Sequence, residues 1–392
     1  MVSKKILVSG IVVAAIISLI VGIGIYNSYI NPGGESRSRT ITDALGREVK
    51  ILEAEDIDKI VGINPGGLRL LVYMEAEDLV CGVEDIEKSS QLSIGRPYLY
   101  ANPHLKDLPS IGPQFGGDAE LILGQEPDVI FMTYGTIEEA NTLQEQTGIP
   151  VVALGYGEIF GDLQLDSFYD SLDLLGEILA KKSRADELKD YIDNLIEDLD
   201  NRTMDIVEGE KKWIYVGGIG HQGTHGIAST DCQYEPLKYI NGNNAASLIE
   251  GCDGHAFIDI EALFQWEDED ESKLDYIIVD GGGYGLCMQD LQNTTVDAGA
   301  GDLECIKAEP PRAIMTLPYN YYTTNLGTVL ADAYYLGKRF HPDKFSDFNY
   351  TNGKVYDDIY ENFVGEEVYD DMVSDFYGGF HNITHDEIDN YT

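Results

Sequence analysis

The stretch that decides the fold is LQLDSFYDSLDLLGEILAKKSRADELKDYIDNLIEDL, from Leu163 to Leu199. Its apolar residues recur at steps of three and four, and charged residues fill the opposite face. This spacing predicts one amphipathic α-helix of roughly ten turns. An α/β unit lies on either side of it, so we interpret the helix as a strut between two halves with a ligand cleft between them. The alternative is an ordinary surface helix of one large domain.

Short apolar strands alternate with helices on both sides of this helix, which is the pattern of mainly parallel sheets. The sequence therefore predicts an α/β fold of two lobes with mainly parallel sheets, bridged by one long α-helix. The predicted segments are a transmembrane anchor or signal peptide (1–26), a linker (27–40), an N-terminal lobe (41–162), the bridging helix (163–203), a C-terminal lobe (204–345) and a helical tail (346–392) whose last dozen residues look loose. Predicted elements include strands at 59–63, 78–83, 128–132, 151–154, 213–216, 276–280 and 313–317, short helices at 235–240 and 243–248, and a long loop carrying Cys287 and Cys305.

The N-terminus reads as a membrane segment. Lys4 and Lys5 precede an uncharged run from Ile6 to Ile25, which is long enough to span a hydrocarbon core. We expect residues 6–25 to anchor the chain, with the lysines in the cytoplasm and everything after Tyr26 outside. A cleaved signal peptide is the alternative, and both interpretations export the main body.

The charge balance excludes some partners. The 392 residues include 69 acidic and 26 basic ones, for a net charge of −43. Like charge repels nucleic acid and anionic lipid surfaces, so we expect no nucleic-acid partner. Because the acidity is spread along the chain, we interpret it first as an adaptation for solvation.

Catalytic and cofactor motifs are weak or missing. Residues 218–223 match the letters of the GxGxxG dinucleotide fingerprint, but Thr224-His225-Gly226 continues the loop where a helix should begin. There is no HExxH, no Walker motif and no nucleophile elbow. We therefore predict no enzyme and no cofactor.

Several residue types indicate a binding site in predicted loops. Tyrosine rings offer a flat face and a hydroxyl to a planar or chelated ligand. Arg69, Arg96 and Arg312 could pair with an anionic chelate, or form local salt bridges. His221 and His225 stand four apart in a glycine-rich loop and could bind a metal, although ordinary polar loop residues would look the same.

Four motifs together resemble one family. They are TDALGREV (42–49), LPSIG (108–112), ELILGQEPDVI (120–130) and TGIPVV (147–152). The sequence resembles the substrate-binding proteins of ABC importers for ferric siderophores, haem and cobalamin, densely over residues 41–160 and in layout to about residue 345. Members of that family have two α/β lobes bridged by one long helix, in agreement with the helix predicted above.

The resemblance implies an extracytoplasmic solute-binding protein that captures an iron-siderophore-type metal chelate and delivers it to an ABC permease and its ATPase. Haem or a corrinoid is the alternative ligand, and a surface metal-binding protein or metalloenzyme using His221 and His225 is the alternative function. Family members dock on the permease through one acidic residue on each lobe, which by resemblance are Glu120 and Glu261. The candidate ligand-binding residues, which we place in the strand-to-helix loops of both lobes, are Asn64, Tyr98, Tyr100, Tyr134, Tyr156, Gly220, His221, His225, Tyr284, Tyr319 and Tyr322.

Export also implies disulfides. Cys287 and Cys305 bracket a predicted loop, and Cys232 and Cys252 flank a predicted pair of helices. We predict bridges 287–305 and 232–252, with Cys81 free and buried. Other connectivities remain possible.

Overall fold

The computed structural model describes residues 37–89, 95–157, 164–221, 223–268, 274–293, 299–347 and 354–392. The predicted anchor at residues 6–25 lies outside these ranges. Within them, none of the helices has the length and apolar character needed to cross a membrane. The predicted linker extends too far, because a strand already begins at Ser38.

The first lobe begins with an antiparallel hairpin and continues as a parallel sheet. Strands β1 (Ser38–Thr42) and β2 (Glu48–Leu52) form the hairpin, and the Asp43 carboxylate accepts hydrogen bonds from the backbone of Leu45 and Arg47 in its turn. The sheet consists of β3 (Ile60–Ile63), the central β4 (Val129–Thr133) and β5 (Val151–Leu154). Its helices are α1 (Gly67–Tyr73), α2 (Pro97–Ala101), α3 (Ala119–Leu123) and α4 (Ile137–Thr147).

The strand predicted at residues 78–83 is wrong. A 3₁₀ turn occupies Glu77–Leu79, and only single bridges follow, from Val80 to Ile60 and from Val83 to Ser110. These bridges extend the sheet edge without forming a regular strand.

The predicted bridging helix at 163–203 is two helices, α5 (Leu165–Ile178) and α6 (Lys182–Thr203). Ala180 adopts a left-handed φ of 55°, and the Lys181 N–H donates to the Gly176 carbonyl at 2.8 Å. This is the hydrogen bond of a Schellman C-cap, which ends a helix. The two helices fold back on each other and are in contact: the Tyr169 hydroxyl on α5 donates a hydrogen bond to Asp193 on α6 at 2.7 Å. The apolar spacing was correct, but it fits a helical hairpin as well as one rod.

Within this hairpin, α6 is the helix that bridges the lobes, and its 22 residues span roughly 33 Å at 1.5 Å per residue. Near its first turn, the Arg184 guanidinium donates to the Tyr73 carbonyl of the first lobe at 2.8 Å. In its last turn, Thr203 accepts a hydrogen bond from Asn241 of the second lobe at 3.0 Å. One helix therefore contacts both lobes.

The second lobe is built on a five-stranded sheet in the order β12-β11-β10-β6-β8. Its strands are β6 (Trp213–Gly217), β8 (Asn243–Asn244), β10 (Leu274–Asp280), β11 (Ala313–Thr316) and the antiparallel edge strand β12 (His381–Asn382), and a separate ribbon pairs β7 (Ser229–Asp231) with β9 (His255–Phe257). Its helices are α7 (Glu235–Lys238), α8 (Ile260–Asp268), α9 (Tyr284–Gln292), α10 (Glu304–Lys307) and α11 (Leu326–Phe340). The helix predicted at 243–248 is instead β8 and a 3₁₀ turn, and the predicted long cysteine loop contains α9 and α10.

The C-terminal tail is ordered and contacts both lobes. It comprises α12 (Lys354–Val364), α13 (Tyr369–Ser374), β12 and α14 (His385–Asn390). The Phe363 ring lies 5.0 Å from the Tyr73 ring of the first lobe, whereas His381 pairs with Met315 of the second-lobe sheet. The prediction that the last dozen residues are loose is therefore wrong, because β12 and α14 order them.

One of the two predicted disulfides forms. Cys232 and Cys252 are bonded, with Cα atoms 6.1 Å apart. The predicted 287–305 bridge is wrong: both cysteines are free and buried. Each lies on its own helix and packs elsewhere, since the Cys287 sulfur faces Gly218 and the Cys305 N–H donates to Glu267 at 2.9 Å. Cys81 is free, but only half-buried.

Candidate functional site

The candidate site lies where the carboxyl ends of the strands in the two lobes face each other. Asn64 directly follows β3, and Tyr134 directly follows β4. In the second lobe, the loop of residues 317–325 follows β11 and reaches across to the first lobe. Open α/β sheets bind ligands at this edge, so we describe it as the cleft.

Unusual backbone conformations concentrate around this cleft. Among the ten non-glycine residues with positive φ in the described ranges, five border it: Asn64, Phe115, Tyr134, Tyr322 and Thr323. Each such conformation costs on the order of 1–3 kcal/mol and persists only where surrounding contacts impose it. The strained backbone is therefore concentrated where loops of the two lobes meet.

Arg69 holds the 317–325 loop in place. Its guanidinium is fully buried and donates to the carbonyl oxygens of Thr324 at 2.8 Å and Tyr321 at 2.7 Å. The Tyr156 hydroxyl accepts from Arg69 at 3.0 Å and donates to the Thr324 carbonyl at 2.8 Å. Because these carbonyls accept from the guanidinium, Arg69 positions the loop that crosses from the second lobe.

Glu84 sits at the centre of the contacts between the lobes. One of its carboxylate oxygens accepts the Gly116 N–H at 2.9 Å, and the other accepts the Tyr322 hydroxyl of the second lobe at 2.8 Å. Phe115 N–H in turn donates to the Tyr322 oxygen at 3.3 Å. Burial raises the pKa of Glu84 to about 7, although the hydrogen bonds from Gly116, Tyr322 and the Asn64 backbone lower it. Nothing in the sequence distinguished this glutamate among the 69 acidic residues; the signal that could have pointed to it was the Gly116-Gly117 pair opposite it.

A second hydrogen bond crosses the cleft beside Glu84. The half-buried Tyr134 hydroxyl and the Thr323 hydroxyl lie 2.5 Å apart. The structure thus brings four of the predicted ligand-binding residues to one region, where they form or adjoin the contacts between the lobes: Asn64, Tyr134, Tyr156 and Tyr322.

The histidine loop forms the second-lobe wall. The His221 ring stacks on His255 at 4.1 Å, and Phe257 packs edge-on against His225 at 4.9 Å. Gly220 lies in the same loop, with the Asn320 carbonyl 3.9 Å from the position of a Cβ. Burial, with smaller effects from His221 and His225, lowers the pKa of His255 to about 4, so this ring is neutral near pH 7.

The expected metal role of His221 and His225 finds no support in their geometry. The His225 Nε2 atom is 2.6 Å from the His221 carbonyl oxygen and is used in that contact. Across the residues placed in the structure, no group of three or more His, Cys, Asp or Glu side chains could hold a metal ion.

The remaining candidates make their contacts elsewhere. Tyr98 donates to buried Glu87 at 2.9 Å, and Tyr100 donates to Asp375 of the tail at 3.2 Å. Tyr319 donates to buried Asp231. Tyr284 packs against Tyr377, with ring centroids 4.3 Å apart. Tyr319 follows β11 and Tyr284 begins α9, whereas Tyr98 and Tyr100 lie within α2 and not in the predicted loop. Sequence could not separate rings that face a cleft from rings that fill a core.

A cavity of about 560 Å³ adjoins the cleft on the first-lobe side. Asn64, Phe115 and Gly116 are among the residues that line it, together with Met132 and Gln146. It is open and mixed in polarity, so it offers room beside the Glu84 contacts.

The two predicted docking residues occupy equivalent positions. Glu120 and Glu261 are exposed in the first turns of α3 and α8. The Glu120 N–H donates to Asp118 at 2.9 Å, and the Glu261 N–H donates to Asp259 at 3.1 Å. Each lobe therefore presents one exposed glutamate held by an aspartate cap.

Comparison with known proteins identifies the family to which this two-lobed chain belongs. The sequence pattern of a family described as "Periplasmic binding protein" matches residues 60–297. The chain belongs to this family. It is 23% identical over 347 residues to the molybdate-binding protein MolA of Haemophilus influenzae, covering 83% of this chain and 90% of MolA.

Solved structures show the same fold. MolA bound to molybdate gives a TM-score of 0.65 at 20% identity and covers 84% of this chain and 98% of its own. A periplasmic solute binding protein from Veillonella parvula DSM 2008 also gives 0.65, at 17% identity, with coverage of 90% and 99%. The haem-binding protein HmuT gives 0.50 at 14% identity, with coverage of 79% and 91%.

The membership confirms the predicted class. The chain is an extracytoplasmic solute-binding protein of an ABC transporter, and it delivers its ligand to the ABC permease. It is a transport component and not an enzyme, so the alternative of a metalloenzyme is wrong.

Proposed function

We propose that the ligand is a small oxyanion of the molybdate class, bound in the cleft between Gly116 and Tyr322. The observation that carries this proposal is that neutral N–H and O–H donors from both lobes converge there on a carboxylate group. A carboxylate and a tetrahedral oxyanion present the same kind of acceptor oxygens, and hydrogen bonds to charged oxygens are the strong ones. The relationship to molybdate-binding MolA supports the same ligand class.

The dimensions of the cleft floor favour a small ligand over a macrocycle. The Tyr134–Thr323 and Tyr322–Glu84 hydrogen bonds join the lobes directly. A haem or corrinoid would have to break both and separate the loops. An oxyanion of five atoms needs only a local exchange of partners.

The acidic surface does not exclude an anion. Charges beyond roughly 10 Å are screened at 0.1 M salt, and a salty exterior would screen them further. Binding then depends on the local donors, which are backbone and tyrosine groups rather than the net charge.

An iron-siderophore-type chelate, the ligand expected from sequence, is the second candidate. The observation in its favour is a pair of exposed rings, Phe115 and Phe257, whose exposed fractions are 61% and 60%. Planar ligands stack on such rings, and HmuT is a fold relative described as haem-binding.

Isothermal titration of the purified protein tests the two candidates against each other. We expect saturable one-to-one binding of molybdate and tungstate, and none of haemin, a ferric siderophore or cobalamin. Tyr322→Phe should weaken molybdate binding by about fivefold to tenfold, the effect of one lost hydrogen bond of about 1 kcal/mol. Tyr377→Phe, at an exposed ring outside the cleft, is the matched control. Saturable binding of a macrocycle or chelate without any oxyanion binding would reject the proposal.

We further propose that Glu120 and Glu261 are the permease-docking residues. Their exposure and equivalent caps support this role, and charge pairs across an interface steer association. Glu120→Arg with Glu261→Arg should abolish uptake in cells while leaving ligand binding in solution intact. Glu187→Arg with Glu197→Arg, at exposed positions on α6, makes the same charge change and should leave uptake unchanged. If uptake persists in the Glu120→Arg, Glu261→Arg variant, these glutamates have no docking role and act only in the first turn of their helices.

A further inference from the structure

Glu84 is an unusual group for the floor of a cleft. Its exposed fraction is 2%, and within the described chain it forms no ion pair. The nearby guanidinium of Arg96 pairs with Glu87 at 2.8 Å, and the buried guanidinium of Arg69 donates to loop carbonyls. Its carboxylate is therefore held by neutral donors alone, one of which belongs to the opposite lobe.

The donors around Glu84 are the ones that an oxyanion would use. Gly116 has a φ of 119°, a left-handed value that glycine adopts readily, and Gly117 follows with 69°. The Gly117 N–H is already used, because it donates to the Pro113 carbonyl at 3.0 Å, so the Gly116 N–H is the donor of this pair that reaches Glu84. The Tyr322 hydroxyl closes the set from the second lobe.

We propose that Glu84 is a resident acceptor in the ligand site, occupying the Gly116 and Tyr322 donors in the empty protein until an incoming oxyanion displaces it. This inference rests on the oxyanion ligand proposed above. It assigns to Glu84 a positioning role: the residue bonds the lobes together when no ligand is present, and it competes with the ligand when one arrives.

Proton uptake follows from the displacement. A displaced carboxylate would face a dianion within a few ångströms, and like charges at that distance disfavour the ionised form. Glu84 therefore takes a proton from solvent as the oxyanion binds. Burial already raises its pKa to about 7 in the empty protein, and a bound dianion raises it further. Uptake is about half a proton at pH 7 and approaches one proton at higher pH, as long as the pH stays below the raised pKa of the bound state. Well below pH 7 Glu84 is already protonated and uptake ceases.

The groups that face Glu84 determine which control variants the proton-uptake experiment needs. Tyr322 and the backbone of Gly116 and Asn64 donate to it, and Glu87 on the adjoining 3₁₀ turn raises its pKa. The imidazole rings of His221, His225 and His255 lie on the opposite wall. Only a variant at position 84 separates their contribution from that of Glu84.

The test is titration calorimetry with sodium molybdate at pH 8, in buffers of different ionisation enthalpy. The wild type should take up close to one proton per molybdate, and Glu84→Gln should take up almost none. Glu84→Ala, which empties the donors, should bind molybdate at least tenfold more tightly than the wild type. Glu145→Gln, at an exposed position on α4, should behave as the wild type. Equal uptake in the wild type and Glu84→Gln, or weaker binding by Glu84→Ala, would overturn the inference.

Amide hydrogen exchange of the empty protein provides a readout that needs no ligand. The Gly116 amide should exchange at least tenfold faster in Glu84→Ala than in the wild type, because its acceptor is gone. Unchanged exchange would overturn the inference even if molybdate binds. If Gly116 behaves as expected but neither the wild type nor Glu84→Ala binds any oxyanion, the proposed function has failed and Glu84 is a contact between the lobes only.

Discussion

Arg96 and Glu87 form a buried ion pair beneath the cleft. Their side chains are 0% and 5% exposed and 2.8 Å apart. Tyr98 donates to the same carboxylate, and the Arg96 guanidinium lies 5.5 Å from the centre of the Tyr321 ring. The pair thus supports the loop that crosses from the second lobe.

Arg96→Ala should lower the free energy of unfolding by roughly 3–5 kcal/mol, because it leaves the Glu87 charge buried and unpaired. Chemical denaturation measures the change. Arg37→Ala breaks an exposed pair with Glu55 and should leave the unfolding midpoint unchanged. An equally small effect at Arg96 would show that the pair is not buried in solution.

Asp280, at the carboxyl end of β10, predicts a pH dependence of stability. One carboxyl oxygen accepts the Gly282 N–H at 2.8 Å, and the other has no hydrogen-bond partner within the described chain. Burial raises the pKa of Asp280 to about 8, and burial raises that of neighbouring Asp332 as well. Since a raised pKa favours the protonated folded state, this stabilising effect is present below about pH 4 and is lost as the pH rises to 8.

The free energy of unfolding should therefore fall between pH 5 and pH 8, and Asp280→Asn should make that fall smaller. Denaturant titrations at both pH values give the comparison. Asp56→Asn, at a surface position outside the core, serves as the control. A fall of the same size in wild type and Asp280→Asn would show that Asp280 is ionised in the folded protein.

At the scale of elements, the helical hairpin shows where sequence reasoning stops. Ala180 occupies the left-handed position that ends α5, although glycine is the usual residue there. The two helices pack closely across the break, because a Cβ at Gly176 would lie 3.1 Å from the Ala185 Cβ. The periodicity of apolar residues predicts which face of a helix is buried, but it cannot predict this contact between two helices.

Ala180→Gly should raise the free energy of unfolding by about 0.5–1 kcal/mol, because glycine adopts positive φ without steric cost. Ala185→Gly, inside α6, should lower it by about 1 kcal/mol or more. Thermal or denaturant unfolding distinguishes them. Destabilisation by both changes would indicate a continuous helix through residue 180.

Strand positions were the most predictable part of the fold. Val151–Leu154 was placed to the residue, because a short, wholly apolar run between turn residues has few other interpretations. The same logic placed Asn64 and Tyr134 at the cleft, since both directly follow such strands. Glu84 was missed although it directly follows the strand predicted at 78–83, because nothing in the sequence distinguished its carboxylate from the many others. Cys287 was misassigned because α9 was read as a loop.

At the scale of the whole molecule, the lobes are joined twice. Helix α6 is one connection, and the tail helix α12 is the other. Phe363 on α12 is fully buried, with ring centroids 5.0 Å from Tyr73 of the first lobe and 6.4 Å from Tyr191 of α6. A Cβ at Gly327 of the second lobe would lie 3.3 Å from the same ring. Two such connections favour small closing motions.

Phe363→Ala should lower the free energy of unfolding by roughly 3–5 kcal/mol through the cavity that it leaves, and should speed amide exchange in α1 of the first lobe and α11 of the second lobe. Exchange mass spectrometry reports both helices at once. Phe257→Ala, at an exposed ring, should change neither. Faster exchange confined to α12 would mean that the tail lies on the lobes without joining them.

Anomalous diffraction at the molybdenum edge, from crystals grown with molybdate, tests the oxyanion cleft most directly. The predicted result is one strong peak between the lobes, with its oxygens within hydrogen-bond distance of the Gly116 N–H and the Tyr322 hydroxyl and with the Glu84 carboxylate displaced. A peak against His221 and His255 instead, or none in the cleft at saturating molybdate, would contradict the account.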